Sequence, residues 1–243
     1  MITLTEYGAL ADEYYNASAH PTCANFRRIS LDFIAARISS APTAFSTCLE
    51  IGAGRSVLAE LRAGGVLNCD RLVVTDLHPE MLAHSDAMSA VVDQTLALDI
   101  CDPTQTKGFA AKADLAVASL ADPYDDASFW SGLSDVVAPG GDVIVTTPSL
   151  EWVRAFRAGE PGDEMSAARF ETAAGRVWVR SMVRSVEEEV ALMRAHGFEP
   201  LTSAKLYRPR SGFSPAAPKL DPWAAQGLPL CVGYHAYRAA TVA

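Results

Sequence analysis

Cysteine is scarce and poorly placed for any structural bond. The five thiols, Cys23, Cys48, Cys69, Cys101 and Cys231, are odd in number and widely spread, and no two form a C-x-x-C pair. That pattern argues against a disulfide frame or a zinc site, and for reduced, mostly buried thiols. The histidines His20, His78, His84, His196 and His235 show no paired ligand spacing, so no metal is expected. Long apolar runs are missing too. Each is broken by charge or glycine well short of the roughly 18 residues a membrane helix needs. Positive charge is in deficit, with 20 Lys and Arg against 29 Asp and Glu and a formal net charge of −9. A phosphate backbone is repelled by that balance; Arg27-Arg28 and Arg208-Arg210 are the nearest approach to a basic patch. The stretch from Met1 to Glu13 carries acids and lacks an apolar core, so a secretion signal is not expected and a cytoplasmic location is. Repeats and low-complexity linkers are absent. Nucleic acid and membranes are thereby poor first partners.

What is present is an ordinary globular chain. Its 243 residues are 49% apolar and 20% charged, enough for one large α/β domain, or two small ones, with a substantial core. Strand and helix patterns alternate, which argues for a parallel sheet. A helix is expected over 22–40, ended by Ser39-Ser40-Ala41-Pro42. Phe45 to Ile51 reads as the first strand and runs into Gly52-Ala53-Gly54, after which 56–63 reads as a helix stopped by Gly64-Gly65. Arg71–Thr75, Gln94–Leu98, Asp114–Ala118 and Gly141–Thr147 read as further strands. Pro79 suits the first turn of a helix, and an amphipathic helix over 127–138 is expected to stop at Pro139-Gly140-Gly141. Beyond residue 150 the pattern predicts a helix over 150–158, a β-hairpin over 168–181 around Ala173-Ala174-Gly175, a helix over 185–196 capped by Gly197, and two strands, Pro200–Tyr207 and Leu230–Tyr237. The proline-rich segment 208–229 between those strands is too long for a tight turn, and such loops are usually functional.

The residues with chemical promise cluster around the first glycine turn. In Cys48-Leu49-Glu50-Ile51-Gly52-Ala53-Gly54, a strand delivers the chain to a turn without β-carbons that opens a helix. Backbone can approach a ligand closely there, and the helix N-terminus favours negative charge. Asp76 ends the next strand, 22 residues past Gly54, where a carboxylate can accept both hydroxyls of a ribose. A nicotinamide dinucleotide site uses the same pair. Against it, the third glycine of G-x-G-x-x-G falls at Val57, and the chain closes on two long strands rather than further βα units.

These motifs, in this order, resemble the class I S-adenosylmethionine (SAM)-dependent methyltransferases, small-molecule type. Glu50 to Gly54 looks like their first motif. Thr75-Asp76-Leu77-His78-Pro79-Glu80-Met81-Leu82 is similar to the second, whose acid binds ribose and whose next apolar residue packs on adenine. Leu98-Asp99-Ile100 resembles the third, in which an acid meets the adenine amino group and a hydrophobe covers the ring. Ser119-Leu120-Ala121-Asp122 follows the fourth strand, where the family places the methionine moiety and the acceptor. Ala138-Pro139-Gly140-Gly141-Asp142 looks like the turn before strand five. The likeness covers about 44–148, and Ser56 departs from it where many members carry a third glycine. It implies a doubly wound, Rossmann-like, mostly parallel seven-stranded sheet with an antiparallel last strand, an N-terminal helical lid over 1–43, a SAM-binding core over 44–148, and an acceptor side over 149–243 with a small β-hairpin insertion. The whole is a single domain, acting as monomer or homodimer on a small-molecule acceptor with SAM as cofactor.

By the same likeness, Tyr7, Ala11 and Tyr14 have the spacing of the lid, Tyr14 and Tyr15 are expected to touch SAM, and Arg27 is a candidate for its carboxylate. Glu50, Gly52, Ala53, Gly54, Asp76, Leu77, Asp99, Ile100, Ser119 and Leu120 complete the expected cofactor site. Asp122 or Tyr124, in Asp122-Pro123-Tyr124-Asp125-Asp126, is placed to orient or deprotonate an acceptor. The alternative is a solvated helix N-terminus. Thr147, Ser149, Trp152, Phe170, Trp178 and Tyr207 are candidate acceptor contacts, with Arg208, Phe213 and Trp223 in the long loop. Three other readings stay open. SAM's own amino group can attack intramolecularly in a cyclase or alkyl transferase that releases methylthioadenosine. The chain can bind SAM without catalysis. Or it can be a nicotinamide oxidoreductase.

Overall fold

The computed structural model describes residues 3–40, 44–109, 112–124, 126–157, 166–207 and 227–240. A 3-10 turn, Tyr7–Leu10, leads into the short helix α1 (Ala11–Tyr14) and the long helix α2 (Pro21–Ser39). The alternating core follows as β1 (Phe45–Ile51), α3 (Val57–Ala63), β2 (Cys69–Asp76), α4 (Pro79–Leu82), β3 (Gln94–Ala97), α5 (Pro103–Thr106), β4 (Ala113–Ala118), α6 (Ala127–Val136) and β5 (Val137–Pro148). The remainder is α7 (Leu150–Arg157), the hairpin β6 (Ala167–Thr172) and β7 (Gly175–Arg180), α8 (Val186–Ala195), β8 (Phe198–Leu206) and β9 (Cys231–Arg238).

Seven strands form one sheet in the order β3-β2-β1-β4-β5-β9-β8. β1 to β5 pair in parallel, and β9 runs antiparallel between β5 and β8. The α/β, doubly wound architecture read from the sequence is the observed one. Its central strands are near-continuous apolar runs because both faces are covered. Successive side chains point to opposite faces. Cys48, Leu72, Val74, Leu115, Val117 and Ile144 pack under α2 and α3. Leu49, Ile51, Val73, Ala116, Val143 and Val145 pack under α6 and α8. A buried hydrogen bond from Trp130 Nε1 to Glu189 Oε1 (2.6 Å) ties α6 to α8.

Two local expectations shift. The Pro-Gly-Gly stretch does not precede strand five; it lies within it. Pairing passes from Ala113↔Val137 directly to Leu115↔Asp142, so 138–141 bulge opposite Asp114. The Asp114 carboxylate turns to β1, accepting the Ser46 and Thr47 N–H groups at 3.0 and 2.9 Å. The helix at Pro79 is a single turn that continues as 3-10 turns over Ala83–Val91.

The N-terminal segment is tied to the hairpin. Thr5 N–H donates to the Trp178 carbonyl (2.6 Å), and Ala173 N–H to Glu13 Oε2 (3.2 Å). Tyr7, Tyr14 and Phe170 pack edge to face and stacked between them. Among the described residues no helix is long and apolar enough to cross a membrane, and no group of three or more His, Cys, Asp or Glu is arranged to hold a metal ion. Residues 208–226 of the long loop, with Arg208, Phe213 and Trp223, and also Asp125, lie outside the described residues.

Candidate functional site

In a doubly wound sheet the ligand crevice lies beyond the carboxyl ends of the strands, where the order reverses. Here that point is β1, flanked by β2 and β4. The turn after β1 uses its glycines fully. Gly52 and Gly54 have φ of 59° and 46°, a region that L side chains avoid. A β-carbon on Gly52 would collide with the Tyr124 hydroxyl, and one on Gly54 with the Tyr15 hydroxyl. Tyr15 Oη accepts the Arg55 N–H at 2.9 Å. Two tyrosines thus close directly onto the turn.

Asp76, 6% exposed, braces the turn from β2. Its Oδ2 accepts the Gly54 N–H and its Oδ1 the His78 N–H, both at 2.9 Å. Burial raises its carboxyl above the usual range, and those hydrogen bonds oppose the rise. Each oxygen keeps a further lone pair. Glu50 does not face the ligand crevice. It is fully buried and caps α3, accepting the Val57 N–H (2.7 Å), the Leu58 N–H (2.9 Å) and the Ser56 hydroxyl. Burial is the main influence on its carboxyl and pushes it up. Ser56 is the N-cap of α3: its Oγ accepts the Ala59 N–H at 2.9 Å.

A cavity of about 500 Å³ fills this crevice. It is lined by Gly52, Ala53, Asp76, Leu77, Asp99, Ser119, Leu120 and Tyr124 from the sheet edge, and by Tyr14, Tyr15 and Arg27 from the N-terminal segment. Asp99 is held by a hydrogen bond from the Cys101 N–H to its Oδ1 (2.9 Å). The Arg27 guanidinium is already engaged, with Nη2 donating to Glu60 Oε2 at 2.8 Å and to the Arg55 carbonyl at 3.3 Å. Tyr7, Cys101 and Arg180 also line this space.

Leu120 is the one non-glycine at positive φ among the described residues, at 56°. For a leucine such a conformation costs on the order of 1 kcal/mol and persists where surroundings impose it. Its N–H donates to Thr146 Oγ1 (2.9 Å), which donates to Ser30 Oγ (2.9 Å). Leu120 lines the first cavity and also a second, of about 320 Å³; Tyr7, Tyr14 and Cys23 are likewise shared.

The second cavity lies between the N-terminal segment, α7 and the hairpin. Phe26, Trp152, Phe156 and Phe170 supply aromatic walls beside Tyr7 and Tyr14. Asp122 reaches it as part of a buried relay: Arg157 Nη2 donates to Ser181 Oγ (2.7 Å), and Ser181 Oγ donates to Asp122 Oδ2 (2.5 Å). Burial pushes the Asp122 carboxyl up to about 6, against the Ser181 hydrogen bond and the Arg157 charge. Burial drives the Tyr7, Tyr14 and Tyr124 phenols well above their usual range. Tyr124 is therefore a protonated hydrogen-bond donor, not a base.

Several sequence candidates are put to other use. Ile100, 2% exposed, is core beneath α6. Gly54 holds Asp76 from behind the cavity wall. Thr147 is buried within β5 opposite Val232. Ser149 accepts the Trp152 N–H and donates to the Pro229 carbonyl, starting α7. Trp178 pairs with Arg169 across the hairpin, and Tyr207 is 52% exposed beyond β8; neither lines either of these two cavities. Conversely, Cys23, His20, Phe26, Phe156 and Arg157 line the second cavity without a sequence motif to mark them.

No family model matches the sequence, and no curated protein does. Solved structures match the fold across nearly the whole chain. A chain of the complex between the Haloferax volcanii Trm112 methyltransferase activator and a methyltransferase aligns with a TM-score of 0.68 at 14% identity, covering 98% of this chain and 100% of its own. The DhpI–SAM–HEP complex aligns at 0.63 and 19% identity, covering 95% and 93%. The N-methyltransferase NodS of Bradyrhizobium japonicum, bound to S-adenosyl-L-homocysteine (SAH), aligns at 0.60 and 17% identity, covering 96% and 97%. The fold is that of SAM-dependent methyltransferases.

Proposed function

We propose that this chain transfers the methyl group of SAM to a small molecule. One observation carries the reading: Gly52 and Ala53 of the glycine turn, Asp76 and Asp99 face a single cavity, and that cavity shares a wall with a second one that carries several aromatic side chains. The residues fit the cofactor. The free lone pairs of Asp76 suit a ribose diol, Asp99 suits an adenine amino group, and Leu77 offers an apolar cover. The backbone at Gly52 and Ala53 admits close approach, and Ser119 and Leu120 stand where the chain turns toward the second cavity. The SAM and SAH complexes of DhpI and NodS support the same choice.

When bound, SAM supplies an electrophilic methyl group on a sulfonium. The protein's task is then to hold a nucleophile in line and keep water out. The N-terminal segment and the hairpin serve as the lid that does so. Leu120, fixed in its strained conformation, sets the boundary across which the methyl passes. Asp122, ionised above about pH 6, accepts a proton from the acceptor. The Tyr124 hydroxyl, kept protonated by burial and lying against Gly52, is placed to donate a hydrogen bond to what binds there.

Calorimetry on the full chain with SAM, SAH and NADH tests the assignment. Binding of SAM and SAH with no heat from NADH is expected. Asp76→Ala is expected to weaken SAH binding by about 1–3 kcal/mol, the cost of unpaired partners, with an unchanged circular dichroism spectrum. Unaltered affinity in that variant, or binding of NADH instead, overturns the site. Incubation with SAM and cell extract is expected to release SAH; release of methylthioadenosine overturns methyl transfer in favour of intramolecular attack.

A further inference from the structure

Residues 180–182, where the chain leaves β7, fasten the segment 122–126 at both ends. At one end the Met182 N–H donates to the Asp122 carbonyl (2.6 Å) and Ser181 Oγ donates to Asp122 Oδ2 (2.5 Å). At the other, Arg180 Nη2 donates to Asp126 Oδ2. The same strand is held from the N-terminal segment, where the Tyr7 hydroxyl donates to the Arg180 carbonyl (3.4 Å) and the Thr5 N–H to the Trp178 carbonyl (2.6 Å). Ser181 is buried, and its N–H donates to the Ser166 carbonyl (2.9 Å). Arg157 fixes the sense of its hydroxyl. Arg157 Nη2 lies 2.7 Å from Ser181 Oγ, and Nη1 lies 3.4 Å from the Ser181 carbonyl. A guanidinium only donates, so the hydroxyl oxygen accepts there, and its single proton is left for Asp122. Oδ2 is thereby held as an acceptor, and Oδ1 is the oxygen left for an incoming proton. Arg157 is the charge that faces the Asp122 carboxyl from α7. Tyr7, Tyr14, Tyr124 and Cys231 also feel it, and burial keeps all four protonated. His20, Arg169 and Glu171 line the same cavity.

Resting on the methyl-transfer reading, we infer that Ser181 is a positioning residue for that reaction: it aims the Asp122 carboxylate at the second cavity, with Oδ1 toward the acceptor and Arg157 holding the Ser181 hydroxyl in line. In the transfer, a lone pair on the acceptor atom forms the new bond to CH₃ as the S–CH₃ bond breaks. Sulfur keeps that bonding pair and becomes a neutral sulfide, and the acceptor's proton passes to Asp122 Oδ1. Ser181 lines neither of the two cavities, so it acts through Asp122 alone and exchanges no proton itself.

The test is a pH titration of the SAH-loaded full chain with isotope-labelled aspartate carboxyls, read by carbon NMR. The Asp122 signal is identified by its loss in Asp122→Asn. In the wild type its midpoint is expected at about 6, with the Ser181 hydrogen bond working against burial. Ser181→Ala is expected to move the midpoint up by about one pH unit, the loss of one hydrogen bond to a charged group, with SAH affinity unchanged; Ser181→Thr is expected to restore it. The rate of SAH formation from SAM and deproteinised cell extract is expected to shift along the pH axis in the same way. Its high-pH plateau in Ser181→Ala is expected to fall about tenfold, the cost of a misaimed base. Should Ser181→Ala not fold, Ser181→Cys, whose thiol is a weaker donor, is expected to move the midpoint in the same direction by less. An unmoved midpoint in the folded variant, or a shift that a folded Ser181→Thr does not reverse, overturns the role of Ser181 and leaves methyl transfer standing. Failure of the wild type to bind SAH, or to form it from SAM with extract, overturns methyl transfer and this assignment with it.

Discussion

At the scale of single residues, Asp122 carries the sharpest expectation. Its carboxyl is protonated more readily in the folded chain, near 6, than the ordinary value of about 3.9 in an unfolded one. The protonated form therefore favours folding. Stability from this group is fully present below about pH 4, falls as pH rises toward 6, and is flat above. Asp122→Asn removes that fall, so the difference in unfolding free energy between the two proteins should change by about 2 kcal/mol across this window, read by urea denaturation at a series of pH values. Turnover of the wild type should rise with pH through about 6, and the variant should lose both the rise and most of the rate. The acidic cluster at 122–126 was legible in the sequence. Its division of labour was not: Asp126 caps α6, accepting the Ser128 N–H at 2.8 Å, while Asp122 is drawn inward by Ser181 and Arg157, residues remote along the chain.

Among the elements, the caps of α8 and α3 separate stability from site geometry. The capping box at Ser185 and Glu188 was readable from local sequence alone, since both partners lie within one turn. Ser185→Ala should cost about 1 kcal/mol and leave SAH binding untouched. The cap of α3 is different, because its acid comes from β1. Glu50→Ala strands the Val57 and Leu58 N–H groups in a dry interior and should cost on the order of 3 kcal/mol. It should also weaken SAH, because the same helix start fixes the turn at 52–54. Thermal melts and calorimetry on the pair distinguish the two outcomes. The bulge in β5 illustrates why element boundaries escape a linear reading. Pro139-Gly140-Gly141 has every local mark of a turn between helix and strand, yet pairing with β4 resumes on both sides of it.

For the molecule as a whole, the N-terminal segment and the hairpin are joined by backbone and aromatic contacts, and a ligand bound beneath them is expected to bind only the folded state. SAH at about a hundred times its dissociation constant should add about 2.7 kcal/mol and raise the melting midpoint by roughly 5–10 °C. Amide exchange should slow together in residues 3–20 and 167–180. A midpoint shift without that joint protection would mean the roof does not close over the cavity. What the sequence determined by itself was the alternating α/β order, the glycine turn and the acid ending the second strand. Each depends on residues adjacent in the chain, where a strand, its turn and the next helix are contiguous and periodicity records them. Only the tertiary structure decided the second cavity. Its walls come from the N-terminal helices and, more than a hundred residues further along the chain, from α7 and the hairpin, which meet only once the sheet has set their places. A serine at the end of the hairpin carries no mark of the distant carboxylate to which it donates.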